Sequence, residues 1–351
     1  MPDWASALVD RVWYGNDALS SVTRIALTPF ERVFGGVAGA RDIMYDARWL
    51  PAYETPIPAV SVGNLTVGGT GKTPVAAWIA HGLSSLGAHP AIVLRGYGGD
   101  EPLVHQRLNP TIPVVANADR VAGVLEAARQ GADIAVLDDA FQHRRVQRLA
   151  DLVLISADRW TSDLRMLPAG PWREPLKSIR RATLAIVTRK AADDRTVEVV
   201  HEQLSRVAPG LPRVSIRFEL HELVDAAGIR EPSPLDAIDG ANVHAVLSIA
   251  DPHAFVRQLE ARGARVQATI LPDHHRFSPE EIARIASAQT DTDRVVCTLK
   301  DAVKLAPHWP RLAPPLWYVS QHVMVERGVG GIERVLDNLV RARSKTPSTA
   351  G

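Results

Sequence analysis

The 351-residue chain has a single cysteine, Cys297, which excludes an internal disulfide framework and any Cys-x-x-Cys metal site. A reducing compartment is the expectation that follows. An excess of charge of one sign is also missing: 40 Lys and Arg stand against 39 Asp and Glu, a formal net of +1. Attraction to anions must then come from local clusters and not from a global field. No stretch of 18 or more uncharged apolar residues occurs, so no membrane-spanning helix is expected. The N-terminus lacks the basic, apolar and small-residue order of a cleavable signal peptide, and the chain is expected to stay in the cytoplasm. Basic residues and aromatics form no stacking stripe, which argues against nucleic acid as a partner. With 46% hydrophobic and 23% charged residues, the composition is that of a globular protein long enough for two cores.

Apolar runs of strand length sit at 59–63, 91–95, 112–116, 134–138, 152–155 and 184–188, with helical patterns at 73–86, 120–130 and 194–207. Such alternation predicts an α/β fold, a mostly parallel sheet sandwiched by helices, with ligands at the carboxyl ends of the strands. Residues 213–225 alternate with period two and predict an exposed strand, and 226–240 reads as a linker. A second alternation from 243 to 299, closed by a helix near 332–343, predicts a smaller α/β domain. The division expected is 1–40, 41–212 and 213–343, with a disordered tail at 344–351. Within 1–40, Trp4, Leu8, Val12, Trp13, Leu19, Val22, Phe30 and Val33 recur at helical spacing among Arg11, Arg24 and Arg32. Two readings stand: an amphipathic helix pair at a membrane surface, or helices packed on the core.

The strongest motif is Ala-Val-Ser-Val-Gly-Asn-Leu-Thr-Val-Gly-Gly-Thr-Gly-Lys-Thr-Pro at 59–74, a strand, a glycine-rich turn and a helix start. Val67, Gly68, Gly69, Thr70 and Gly71 let successive N–H groups turn toward phosphate oxygens, and the helix N-terminus adds partial positive charge. Lys72 can reach the β- and γ-phosphates, and the Thr73 hydroxyl can hold Mg²⁺. The chain thus predicts a P-loop NTPase-like domain that binds ATP and Mg²⁺. The first glycine of the usual G-x-x-x-x-G-K-[ST] pattern is replaced by Thr66. A second apolar strand ends in Asp138 and Asp139, placed as carboxylates for Mg²⁺, with Gln142 and His143 just beyond as further phosphate-side groups.

These pieces resemble the tetraacyldisaccharide 4'-kinase family. The resemblance rests on 63–74, Arg-Gly-Tyr-Gly-Gly at 95–99, Asp-Arg at 119–120, Asp-Asp-Ala-Phe-Gln-His-Arg at 138–144, and Leu-Pro-Ala-Gly-Pro-Trp-Arg-Glu-Pro at 167–175. Pro-Asp-His-His-Arg-Phe at 272–277 and Thr-Leu-Lys-Asp-Ala-Val-Lys at 298–304 complete it. Ala140 and Ser248 depart from it, each standing where glycine is expected. The resemblance implies transfer of the ATP γ-phosphate to the 4'-hydroxyl of a tetraacyldisaccharide 1-phosphate, a glycolipid in the inner leaflet of a bacterial inner membrane. It favours the membrane-surface reading of 1–40 and implies a peripheral protein, expected as a monomer. It implies Asp119 as the base for the acceptor hydroxyl with His274 as its partner, the two domains closing over the substrate. It also implies Arg95 and Tyr97 near the γ-phosphate or sugar, and Glu174 near Mg²⁺. Taken alone, Asp119 reads as an ordinary N-cap of the 120–130 helix. Arg165, Arg173, Lys177, Arg180 and Arg181 form a basic run, read either as an anion site or as a solvated face. The rival functions are an ATPase switch of the partitioning type, whose loop carries a lysine where Val67 stands, and a nucleotide-binding scaffold without transfer.

Overall fold

The computed structural model describes residues 3–96, 99–273, 275–288 and 292–343. It opens with two helices, α1 (Asp3–Tyr14) and α2 (Ala18–Asp46). β1 (Ala59–Asn64), α3 (Lys72–Ser85), β2 (Pro90–Leu94), α4 (Asp100–Leu108) and β3 (Val114–Ala116) follow. Next come α5 (Arg120–Arg129), β4 (Ile134–Asp138), β5 (Ala150–Ser156), β6 (Leu184–Arg189) and α6 (Asp194–Val207). The long β7 (Arg213–Asp225) and short β8 (Ser233–Pro234) lead to β9 (Asn242–Leu247), α7 (Pro252–Glu260), β10 (Arg265–Ile270) and α8 (Pro279–Ser287). The chain ends with β11 (Arg294–Cys297), α9 (Leu299–Leu305), β12 (Leu316–Arg327) and α10 (Val329–Arg343).

The described residues form two compact units. The larger takes 7–96, 105–217 and 325–343, and the smaller takes 218–324 with 3–6 and 99–104. In the larger unit the strands run parallel in the order β7-β6-β5-β1-β4-β2-β3. β1, β2, β4 and β6 are buried at every position, as a parallel sheet covered on both faces requires. One core cluster gathers Phe141, Val153, Ile179, Val187 and Leu204, and another gathers Val93, Val115, Val124 and Leu137 under α5. In the smaller unit β10, β9, β11 and β12 run parallel in that order. Its apolar clusters are centred on Leu247, Phe255 and Trp317, and on Ile282, Cys297 and Leu305.

Two expectations change. β7 is not an exposed strand: it is paired between β6 and β12, and Val214, Ser215 and Ile216 are buried in succession because α10 covers Val214 at Gly331 while His201 of α6 meets Ser215 on the opposite face. α10 does not close the smaller domain; it packs on the larger one. Gly331 lies against Leu184 and Val214, Leu336 meets Gly82, and Arg343 Nη1 donates to the Gly87 carbonyl at 2.6 Å. The buried Ile332, Val335 and Leu339 explain the choice, since they need an apolar face to cover them.

Candidate active site

β1 delivers the chain to the phosphate loop and α3 takes it away. Gly68 and Gly71 hold φ of +109° and +86°, a region only glycine enters freely, and Gly71 is the residue before the first turn of α3. The loop is pinned from three sides. Asn64, at the end of β1, donates Nδ2 to Thr70 Oγ1 at 2.9 Å, and Thr188 of β6 donates its hydroxyl to the Thr70 carbonyl at 3.2 Å. The lead-in segment pairs with 171–173: Val67 N donates to the Pro171 carbonyl at 2.8 Å and Arg173 N to the Leu65 carbonyl at 2.7 Å. Gly63 has a tighter role than loop flexibility, because a Cβ there would stand 2.6 Å from Phe141 Cβ.

The two acids at the end of β4 divide the work. Asp138 is buried; its Oδ2 accepts from the Thr73 hydroxyl at 3.1 Å and lies 2.9 Å from His105 Nε2. Its other oxygen is buried with no hydrogen-bond partner. A carboxylate oxygen left over beside the first hydroxyl of a phosphate-loop helix fits a hard divalent cation. Among the described residues no group of three or more His, Cys, Asp or Glu is arranged for a metal. Mg²⁺ keeps waters and phosphate oxygens as most of its ligands, so the Thr73 hydroxyl and the Asp138 carboxylate are the protein groups that would hold it. Asp139 takes the left-handed conformation, φ +51°, and faces two cations: Lys72 Nζ at 3.8 Å and Arg173 Nη1 at 3.3 Å. Burial acts to raise its pKa, but Lys72, Arg173 and Arg120 outweigh burial and hold it below the usual carboxylate value.

The loop after β4 brings Gln142 and His143 to the same place. Gln142 Nε2 donates to the Asn64 carbonyl at 2.9 Å, and the Gln142 carbonyl accepts from Arg41 of α2. Burial first, then the charges of Arg120, Arg41 and Arg95 against the opposing Asp139, push the His143 pKa down to about 4. Arg95 is thus near His143, at the exposed end of β2. Glu174 is buried and engaged by Arg181 Nη2 at 2.6 Å, while Arg181 Nη1 reaches Asp42 at 2.7 Å. The structure gives it an arginine partner. The basic run is also dispersed: Arg165 pairs with Glu31 and Asp163, Arg173 with Asp139, and Arg180 with the Val207 carbonyl.

Asp119 is the N-cap of α5, its Oδ1 accepting from Val121 N at 2.9 Å and Ala122 N at 3.4 Å. Both bonds use one oxygen, and the carboxylate is exposed. Tyr97 and His274 lie outside the described residues. Asn64, His105 and Arg173 complete the site; Asn64 and Arg173 fell in segments singled out from sequence, and His105 did not.

A model of the tetraacyldisaccharide-1-P 4'-kinase family matches residues 23–341. The chain is 35% identical over 314 residues to a tetraacyldisaccharide 4'-kinase of Halorhodospira halophila, covering 84% of this chain and 87% of that one. It is 36% identical over 329 residues to one from Anaeromyxobacter dehalogenans, covering 85% and 86%. Among solved structures, LpxK from Aquifex aeolicus in complex with ATP superposes with a TM-score of 0.69 at 28% identity, over 92% of this chain and 99% of that one. Fold, loop, paired acids and relatives agree along almost the whole length, and the chain belongs to the tetraacyldisaccharide-1-P 4'-kinase family.

Proposed function

We propose that this protein transfers the γ-phosphate of ATP to the 4'-hydroxyl of a tetraacyldisaccharide 1-phosphate, giving the 1,4'-bisphosphate. The observation that carries the reading is the Thr73–Asp138 pair, with its unmatched buried oxygen, set beside the Lys72–Asp139–Arg173 cluster under a glycine turn. Lys72 and the loop N–H groups hold the triphosphate, and Asp139 keeps Lys72 and Arg173 directed at it. Thr73 and Asp138 would hold Mg²⁺, which when bound neutralises charge on the phosphates. Asp119 accepts the proton of the acceptor hydroxyl through the oxygen its cap bonds leave open. Arg95, Tyr97 and His274 support the phosphate and sugar side. Glu174 is a further carboxylate on the Mg²⁺ side, held by Arg181.

The substrate is a lipid, and α2 offers it a surface. Leu19, Val22, Phe30, Val33 and Val37 fall on one stripe at helical spacing and are 61% to 68% exposed. No helix among the described residues is long and apolar enough to cross a membrane. We therefore place the protein as a peripheral monomer on the cytoplasmic face of the bacterial inner membrane, with α1 and α2 lying in the interface.

The test is an incubation with γ-labelled ATP, Mg²⁺ and the disaccharide 1-phosphate in detergent. Label on the lipid, lost in Lys72→Ala, is the expected result. Label released only as inorganic phosphate would turn the reading toward an ATPase switch, and no turnover would turn it toward a scaffold.

A further inference from the structure

Arg159 stands in the turn after β5, and β5 is the parallel neighbour of β1, so this turn and the phosphate loop leave the sheet at the same end. Its Nη1 lies 3.3 Å from the point a Cβ on Gly68 would occupy, and its Cζ 3.9 Å. The guanidinium therefore packs on the glycine that starts the loop's left-handed curl. The turn is rigid, because the carboxylate of the adjacent Asp158 accepts from the backbone N–H groups of Lys190, Ala191 and Ala192 at 2.7–2.8 Å.

Two groups of α1 hold the guanidinium there. Asp10 Oδ1 is 3.7 Å from Nη1, and the Tyr14 ring centroid is 5.3 Å from Cζ. α1 is fastened to the same region a second time, where Trp13 Nε1 donates to the Pro168 carbonyl at 3.0 Å. Pro168 opens the segment whose Pro171 carbonyl takes the Val67 N–H, so helix and loop share one support. The loop itself has Val67 where loops of the partitioning type carry an extra lysine. Here a cation reaches the neighbouring residue from another strand.

We infer that Arg159 is a phosphate-binding residue of the nucleotide site, set over the loop by α1. A planar guanidinium with several N–H donors suits a polyphosphate, and a donor on the Gly68 side meets oxygens that Lys72, at the opposite end of the loop, does not. Asp10 and Tyr14 act as positioning residues for it.

The inference rests on ATP binding at this loop, and the test separates the two. Binding of ATP and of adenosine is measured by calorimetry on the full chain for Arg159→Ala, Arg159→Lys, Asp10→Asn and the reference Lys72→Ala, each checked for an unchanged melting temperature. Loss of a charge-assisted contact predicts roughly tenfold or greater weakening for ATP in Arg159→Ala, with adenosine unaffected. Arg159→Lys should recover part of the loss, and Asp10→Asn should show a smaller loss with the same preference for ATP over adenosine. ATP affinity unchanged in Arg159→Ala, while Lys72→Ala loses it, overturns the inference alone. So does a parallel loss of ATP and adenosine, which would make Arg159 a packing group only. ATP affinity unchanged in Lys72→Ala overturns the loop assignment and this inference with it.

Discussion

At the scale of single residues the site works by leaving some groups unmatched and over-matching others. Asp138 has one oxygen bonded by Thr73 and His105 and one buried without a partner, a cost the fold accepts only if something else meets that oxygen. Asp138→Asn keeps the shape and removes the charge. It should lower kcat/KM for ATP about 10²-fold and raise the Mg²⁺ concentration needed for half-maximal rate. An unchanged Mg²⁺ requirement would remove Asp138 from the metal's ligands. His143 is over-matched by cations, its pKa lowered from 6.5 to about 4, chiefly by burial and then by the arginines around it. The folded state therefore binds this proton less readily than the unfolded chain. The stability it contributes is complete above pH 6.5 and is lost as pH falls from there toward 4. Urea denaturation at pH 7 and pH 4.5 should show a smaller acid loss in His143→Gln than in the parent protein. Equal losses would mean that the imidazole is not held neutral by its surroundings.

At the scale of elements, Asp119 caps α5 and is proposed as the base for the acceptor hydroxyl, two roles that substitutions can separate. Asparagine caps a helix about as well as aspartate but is no base. Asp119→Asn should keep the melting temperature while kcat falls roughly 10²- to 10⁴-fold. Asp119→Ala should lose about 1 kcal/mol of stability in addition. If Asp119→Asn turns over normally, the residue is a cap and nothing more. A double-mutant cycle with His274→Ala then reads whether the two residues act together, non-additivity being the expected sign. Elements were legible in sequence where their signals are local. The spacing of glycines, Lys72 and Thr73 gives the loop, and the run 134–138 gives β4 with its acids at the end. What escaped were pairings that no spacing rule encodes. His105 meets Asp138 across 33 residues from a short helix with few apolar positions, α4, which periodicity alone does not announce. The strand-like alternation of β7 was visible, but its neighbours were not, and neighbours decide burial. Glu174 is expected near Mg²⁺ from the resemblance, but its pairing with Arg181, folded back from the next 3-10 turn, is not written in any spacing.

At the scale of the whole molecule, the substrate's chemistry and the N-terminal helices make one argument. α2 shows opposite faces to opposite surroundings. Arg24, Thr28, Glu31, Gly35, Asp42 and Asp46 share one side and meet protein: Glu31 accepts from Met166 N at 2.7 Å, Gly35 lies against Met166, and Asp42 and Asp46 bind Arg144. The other side carries the exposed stripe of Leu19, Val22, Phe30, Val33 and Val37. A monomer that left this stripe in water would forgo about 1.5–3 kcal/mol for each large side chain it could have buried. A bilayer surface that also holds the glycolipid would recover it and concentrate the enzyme on its substrate. Charge placed on the stripe at Val22→Asp and Val33→Asp should leave ATP affinity and melting temperature unchanged, because neither residue belongs to the face that meets the site. Co-sedimentation with anionic vesicles should drop at least tenfold, and phosphorylation of substrate embedded in those vesicles should drop with it. Turnover of the same substrate in detergent micelles at saturating concentration should persist, since there the lipid reaches the site without the helix. Vesicle binding that survives both charges would move the membrane contact elsewhere on the molecule, and a loss of micellar turnover in step with vesicle turnover would make the stripe part of the substrate site itself.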